Sequence, residues 1–193
     1  MSREIHMSDL AKAPSIITGV SFGTVLAGAR HLDTPGGKFA VLAGRAGDLV
    51  DGYVARKFDM SSDAGAIADV TADKLGMLAI GQSAWKHDIV PKPVLAAMGA
   101  KHLTNAVATT YNGLRDKQRR SIRPPKSGKL SMFADNISIG AFLIADELQP
   151  GTAEYRSARA VGYAAFAAGL AFGIDAAHHY ISGEFDEDTS HSE

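Results

Sequence analysis

The sequence predicts an all-α fold, a bundle of six helices. Three observations support this prediction. Six apolar or small-residue segments read better as helix than as strand, and the breaks between them carry turn residues. The charges of those breaks also alternate from one side of the bundle to the other. Each segment is about as long as a helix needs to be to cross a bilayer at a rise of about 1.5 Å per residue, with some tilt.

The six predicted helices follow one another along most of the 193-residue chain. They cover 14–31, 38–57, 64–86, 91–114, 128–148 and 156–181. Glycine and alanine are frequent inside them, as in GTVLAGA and GYAAFAAGLAFG. In a soluble helix each glycine costs about 1 kcal/mol relative to alanine. In a membrane bundle small residues let helices approach closely, so this composition favours membrane packing.

Loop charges provide a test of orientation. If all six helices span a membrane, the N-terminus, the 58–63 loop and the 115–127 loop lie on one face. The 115–127 stretch holds six basic residues against one acid, Asp116, whereas the opposite loops are acidic. The positive-inside rule then predicts a multi-pass membrane protein with both termini cytoplasmic. Composition leaves a soluble all-α metal-binding domain open, because a mean hydropathy of -0.03 is ordinary for a soluble protein.

Bulk charge and cysteine content exclude several function classes. The formal net charge is -1, so nothing in the overall charge indicates a nucleic-acid partner. The chain has no cysteine, which excludes disulfides, CxxC redox chemistry and cysteine-based zinc sites.

The residues that indicate chemistry are four aspartates on the second and third predicted helices. Asp48 and Asp51 are three residues apart, and Asp69 and Asp73 are four apart, so each pair shares one helix face. Like charges at this spacing repel, so a cation is needed beside them. Carboxylates suit Mg²⁺ or Mn²⁺, and two opposed pairs could hold two such ions roughly 3.5–4 Å apart. Taken singly, each pair is more typical of a turn or a solvated helix face.

The complete spacing around these aspartates is more specific. The pattern D-x2-D-G-x2-A-R-x8-G-x3-D-x3-D runs without departure from Asp48 to Asp73. It resembles the signature of the CDP-alcohol phosphatidyltransferase family, in particular bacterial phosphatidylglycerophosphate synthase-like members. The resemblance implies an inner-membrane enzyme of six transmembrane helices, usually a homodimer, with its active site facing the cytoplasm. It implies a catalytic membrane domain over 1–182, and the acidic tail 183–193 is predicted to be disordered.

The resemblance also implies roles for single residues. Asp48, Asp51, Asp69 and Asp73 ligate two divalent cations, and Asp73 is also the general base. The CDP part of the donor is contacted by four further residues: Gly52, Arg56, Ser62 and Gly65. The implied reaction moves a phospho-alcohol group from a CDP-lipid, such as CDP-diacylglycerol, to the hydroxyl of a polyol or polyol phosphate and releases CMP. A non-catalytic membrane protein that keeps the nucleotide and metal site is the alternative.

A basic cluster offers a site for the acceptor. Arg115, Arg119, Arg123 and Lys129 could bind the phosphate of glycerol-3-phosphate, the expected acceptor, or of an inositol phosphate, the alternative. Another interpretation is that these cations set orientation and attract anionic headgroups of the membrane lipids.

Overall fold

The structure is a computed structural model that describes residues 13–57, 63–115 and 125–182. These residues form six α-helices and no strand, so the all-α, six-helix prediction is confirmed. The helices are α1 (Ala13–Arg30), α2 (Pro35–Lys57), α3 (Asp63–Lys86), α4 (Lys92–Arg115), α5 (Lys126–Asp146) and α6 (Ala153–Ser182). Side chains are described over 19–47, 73–111, 125–179 and 181–182. The acidic tail 183–193 lies outside the described residues.

Helix α2 begins three residues earlier than predicted. Thr34 Oγ1 accepts a hydrogen bond of 3.1 Å from the backbone N–H of Gly37, which makes Thr34 the N-cap. Pro35 then occupies the first helical position, where its missing N–H removes no intrahelical bond. The Pro-Gly-Gly sequence looks like a turn, but its residues form the first turn of α2.

The chain divides into two compact units, Met1–Ile89 and Val90–Glu193. In the first unit, α1 packs against both α2 and α3. Glycines bring α1 and α2 very close together. A Cβ added at Gly44 would lie 2.7 Å from Val25 Cγ2, and one at Gly47 would lie 2.5 Å from Ser21 Oγ. This segment of α2, which directly precedes Asp48, is therefore held tightly against α1.

In the second unit, α6 packs against both α4 and α5 around a buried polar network. The Lys101 ammonium donates to both carboxylate oxygens of Asp135, at 2.8 and 2.6 Å. It also donates to Ser131 Oγ at 2.8 Å and to the carbonyl oxygen of Gly169 at 3.1 Å. His102 Nε2 lies 2.8 Å from Asp135 Oδ2 but lacks the alignment of a hydrogen bond. The network joins all three helices of this unit.

One segment among the described residues, Ala153–His179, is long and apolar enough to cross a membrane by length and composition. It covers most of α6, which is the longest of the six helices at 30 residues. Core helices of soluble proteins can have the same length and composition. The prediction of six spans with cytoplasmic termini stays a prediction.

Candidate functional site

The four predicted metal-binding aspartates lie on two helices of the first unit. Asp48 and Asp51 are in the C-terminal half of α2, and Asp69 and Asp73 are in the N-terminal half of α3. The helical backbone confirms the spacing argument, since residues three or four apart lie on one helix face. The five residues 58–62 between the helices lie outside the described residues. The chain therefore forms the two helices that were predicted to carry the four aspartates.

Asp73 is the one aspartate of the four whose side chain is described, and it is paired with a cation. Its Oδ1 lies 2.6 Å from Arg45 Nη1 of α2. The Asp73 side chain is 24% exposed and that of Arg45 is 12% exposed, so the contact is largely withdrawn from solvent. A carboxylate in such a place requires a positive partner. The structure thus brings Asp73 of α3 into direct contact with Arg45 of α2.

Sequence reasoning did not identify Arg45. It lies inside the apolar stretch LAGRAGDLV, outside the eight positions of the signature. A signal was present, because Arg45 precedes Asp48 by three residues and a helix places both on one face. A charged residue within an apolar helix is also unusual enough to mark a functional position.

The remaining predicted residues are placed only in part. Gly52, Arg56 and Gly65 lie on α2 or α3, but their side-chain environment is outside the described region, as are the side chains of Asp48, Asp51 and Asp69. Ser62, Arg119 and Arg123 lie outside the described residues altogether. Arg115 is the last residue of α4, and Lys129 is exposed in the first turn of α5.

The donor set fits divalent metal ions in its chemistry. All four predicted ligands are carboxylates, the hard oxygen donors that Mg²⁺ and Mn²⁺ prefer. Asp73 forms an ion pair with Arg45 at 2.6 Å, so a metal ion bound at this carboxylate would share it with a second cation. Within the described side chains, no three His, Asp or Glu residues lie together as a ligand group. The side chains of Asp48, Asp51 and Asp69 are not among those that the structure describes.

Comparison with known proteins agrees with the signature. The family model for CDP-alcohol phosphatidyltransferase matches residues 12–174, which include α2, α3 and all four aspartates. No curated protein matches the chain. Members of this family are phosphotransferases that move a phosphatidyl group from a CDP-alcohol in phospholipid synthesis. Because the match covers far more than half of the sequence, the chain belongs to the CDP-alcohol phosphatidyltransferase family.

Proposed function

We propose that this protein is an integral membrane enzyme that transfers a phosphatidyl group from CDP-diacylglycerol to glycerol-3-phosphate and releases CMP. The observation that carries the proposal is the complete aspartate signature on two helices that are joined by the ion pair between Arg45 and Asp73. The family match supports the reaction class.

The membrane part of the proposal is supported by exposed apolar side chains. Phe39 in the first unit is 73% exposed, and Leu103 in the second is 67% exposed. Many other large apolar side chains of the described helices are also exposed, and removing each of them from water is favourable. Lipid contact would remove these side chains from water. We propose six spans in the inner membrane, cytoplasmic termini and a homodimer, as in the family.

In this mechanism, Asp48, Asp51, Asp69 and Asp73 would hold two Mg²⁺ or Mn²⁺ ions. Such ions would supply positive charge that offsets the donor pyrophosphate and the charge developing on departing CMP. Asp73 accepts the proton of the acceptor hydroxyl. The hydroxyl oxygen attacks the phosphorus of the phospho-alcohol group, a new P–O bond forms, and the bond to the CMP oxygen breaks.

Donor recognition is assigned to residues beside the aspartates. Arg56 follows Gly52 by one helical turn and can form charge-assisted hydrogen bonds with a phosphate. Ser62 precedes α3 and can contact the nucleotide. Gly65 lies one turn before Asp69 on the same stripe, where the absence of a side chain leaves room for the donor. These four assignments come from the family signature.

Replacing the proposed base tests the mechanism. Asp73→Asn removes a proton acceptor and one negative charge but keeps the side-chain volume. We expect turnover to fall by at least about 10²-fold, since general-base catalysis contributes about 10²–10⁴-fold, while much of the affinity for the CDP-lipid remains. CMP release and CDP binding measure the two effects. Asp33→Asn, in the exposed turn after α1, is the matched control and should act like the wild type. Unchanged turnover in Asp73→Asn would contradict the assignment.

The acceptor phosphate is assigned to the basic cluster of Arg115, Arg119, Arg123 and Lys129. Lys129→Gln should raise the KM for glycerol-3-phosphate several-fold, because a charge-assisted contact with phosphate is lost. Lys126→Gln, at the exposed start of the same helix, is the control. An unchanged KM for both variants would leave the cluster the role of attracting anionic lipid. Turnover with inositol phosphate in place of glycerol-3-phosphate would favour the alternative acceptor.

A further inference from the structure

Arg45 lies next to the aspartate site but outside the family signature. The last 13 residues of α2 run from Arg45 to Lys57. Asp73 is the eleventh residue of α3. The two side chains therefore meet about three turns from the 58–62 connection, near the middle of both helices. Asp48 lies one turn nearer the connection than Arg45, on the same helix face.

The backbone that carries Arg45 is held in place. Gly44 and Gly47, on either side of it, contact α1 so closely that an added Cβ would lie 2.7 Å from Val25 Cγ2 and 2.5 Å from Ser21 Oγ. Such packing leaves this part of α2 little freedom to shift. The Arg45 guanidinium, which lies 2.6 Å from Asp73, is therefore carried by a tightly packed segment of α2.

The charges of the four aspartates indicate a role for the contact between Arg45 and Asp73. Four aspartates on two neighbouring helices repel one another while no metal is bound. Arg45 supplies a cationic guanidinium beside the Asp73 carboxylate. A divalent cation that binds Asp73 approaches this same positive group, and like charges at short range oppose each other.

We propose that Arg45 is the resident counter-cation of the site: it holds the Asp73 carboxylate while metal is absent and opposes metal binding at that carboxylate. This inference rests on the proposed function for the assignment of Asp73 as a metal ligand. Arg45 is thus a positioning residue, which prevents the aspartates from separating before the ions arrive and sets how tightly those ions are held.

Mn²⁺ titration of purified protein in detergent tests this role without any turnover. Arg45→Met keeps the length of the side chain and removes the charge. We expect at least about threefold tighter Mn²⁺ binding, measured by electron paramagnetic resonance. The unfolding midpoint of the metal-free protein should fall, and Mn²⁺ should raise that midpoint more than in the wild type. Arg45→Lys keeps the charge and should bind Mn²⁺ within about twofold of the wild type.

The controls separate the possible outcomes. Arg30→Met, exposed at the end of α1, should leave both measurements unchanged. Weaker or unchanged Mn²⁺ binding in Arg45→Met would overturn the proposal. If Arg45→Met does not fold, Arg45→Met/Asp73→Asn should fold, because the aspartate no longer needs a partner, and a failure of that rescue would also overturn it. CMP release by the wild type tests the proposed function separately and does not depend on these results.

Discussion

Replacing the buried Lys101 by methionine is a sharp test of how the second unit is held together. Lys101 bonds to both oxygens of Asp135, whose side chain is 0% exposed. Methionine keeps most of the aliphatic stem, which fits over α6 because residue 173 is a glycine: a Cβ there would collide with the Lys101 stem. The substitution therefore removes mainly the charge and leaves the Asp135 carboxylate buried without its principal partner.

The expected cost follows from that burial. Removing one partner of a buried ion pair destabilises a protein by about 3–5 kcal/mol, because the remaining charge is uncompensated. Ser131 does not add to this cost, since its hydroxyl donates independently to the carbonyl oxygen of Gly169 at 2.8 Å. His102, 39% exposed, offsets the cost only weakly because it is not aligned with the carboxylate. Asp135→Leu should cost a similar amount, since it leaves the Lys101 ammonium buried without an opposite charge, with only Ser131 Oγ and the Gly169 carbonyl oxygen of the present acceptors remaining.

The double variant Lys101→Met/Asp135→Leu distinguishes a charge effect from a packing effect. With independent effects, the two costs would add to about 6–10 kcal/mol. If the two charges are coupled, the double variant leaves no buried charge uncompensated. Its free energy of unfolding should then lie within about 2 kcal/mol of that of the wild type. We therefore expect it to be more stable than either single variant.

Thermal or denaturant unfolding in detergent micelles, followed by circular dichroism, measures these differences. Lys126→Met, at the exposed start of α5, is the control and should change stability by less than about 0.5 kcal/mol. Additive losses in the double variant, or single variants that match Lys126→Met, would refute the reasoning.

Two further predictions concern close packing and buried hydrogen bonds. Gly28→Ala should destabilise the first unit by about 1–3 kcal/mol, because the new Cβ would lie 2.6 Å from a backbone oxygen of α2. Gly23→Ala, with no atom within 4 Å of the added Cβ, should be neutral or stabilising by up to about 1 kcal/mol; equal midpoints for the two variants would contradict this. Ser138→Ala should cost about 1 kcal/mol through its buried 2.8 Å bond to an α6 carbonyl, and exposed Thr110→Ala should cost less. Thermal unfolding checks both pairs, and a larger loss in Thr110→Ala would oppose the second.

The six helices were predictable because apolar length and turn residues are local properties of the sequence. The largest errors at a helix start, three residues each, were in α2 and α6; in α2, Pro35 looked like part of a turn. Proline is compatible with the first turn of a helix. Whether Pro35 belongs to a turn or begins α2 therefore depends on Thr34, whose side chain caps the helix.

The polar contacts were harder to predict than the helices. The aspartate pattern was recognised because its spacing is fixed along the chain. Arg45 was missed because its partner, Asp73, lies 28 positions away and the contact exists only once α2 and α3 have each packed against α1. Lys101 and Asp135 were read as parts of apolar segments for the same reason. A cation in one apolar segment and an anion in another predict a buried pair, but sequence spacing does not state which residues meet.

The most direct test of the central claim is CMP release by purified wild-type protein with CDP-diacylglycerol, Mg²⁺ or Mn²⁺, and a panel of polyols and polyol phosphates. We expect CMP release that requires both the metal and an acceptor, is highest with glycerol-3-phosphate, and matches the amount of new phosphodiester mole for mole. No CMP release with any acceptor, at any metal concentration, would contradict it.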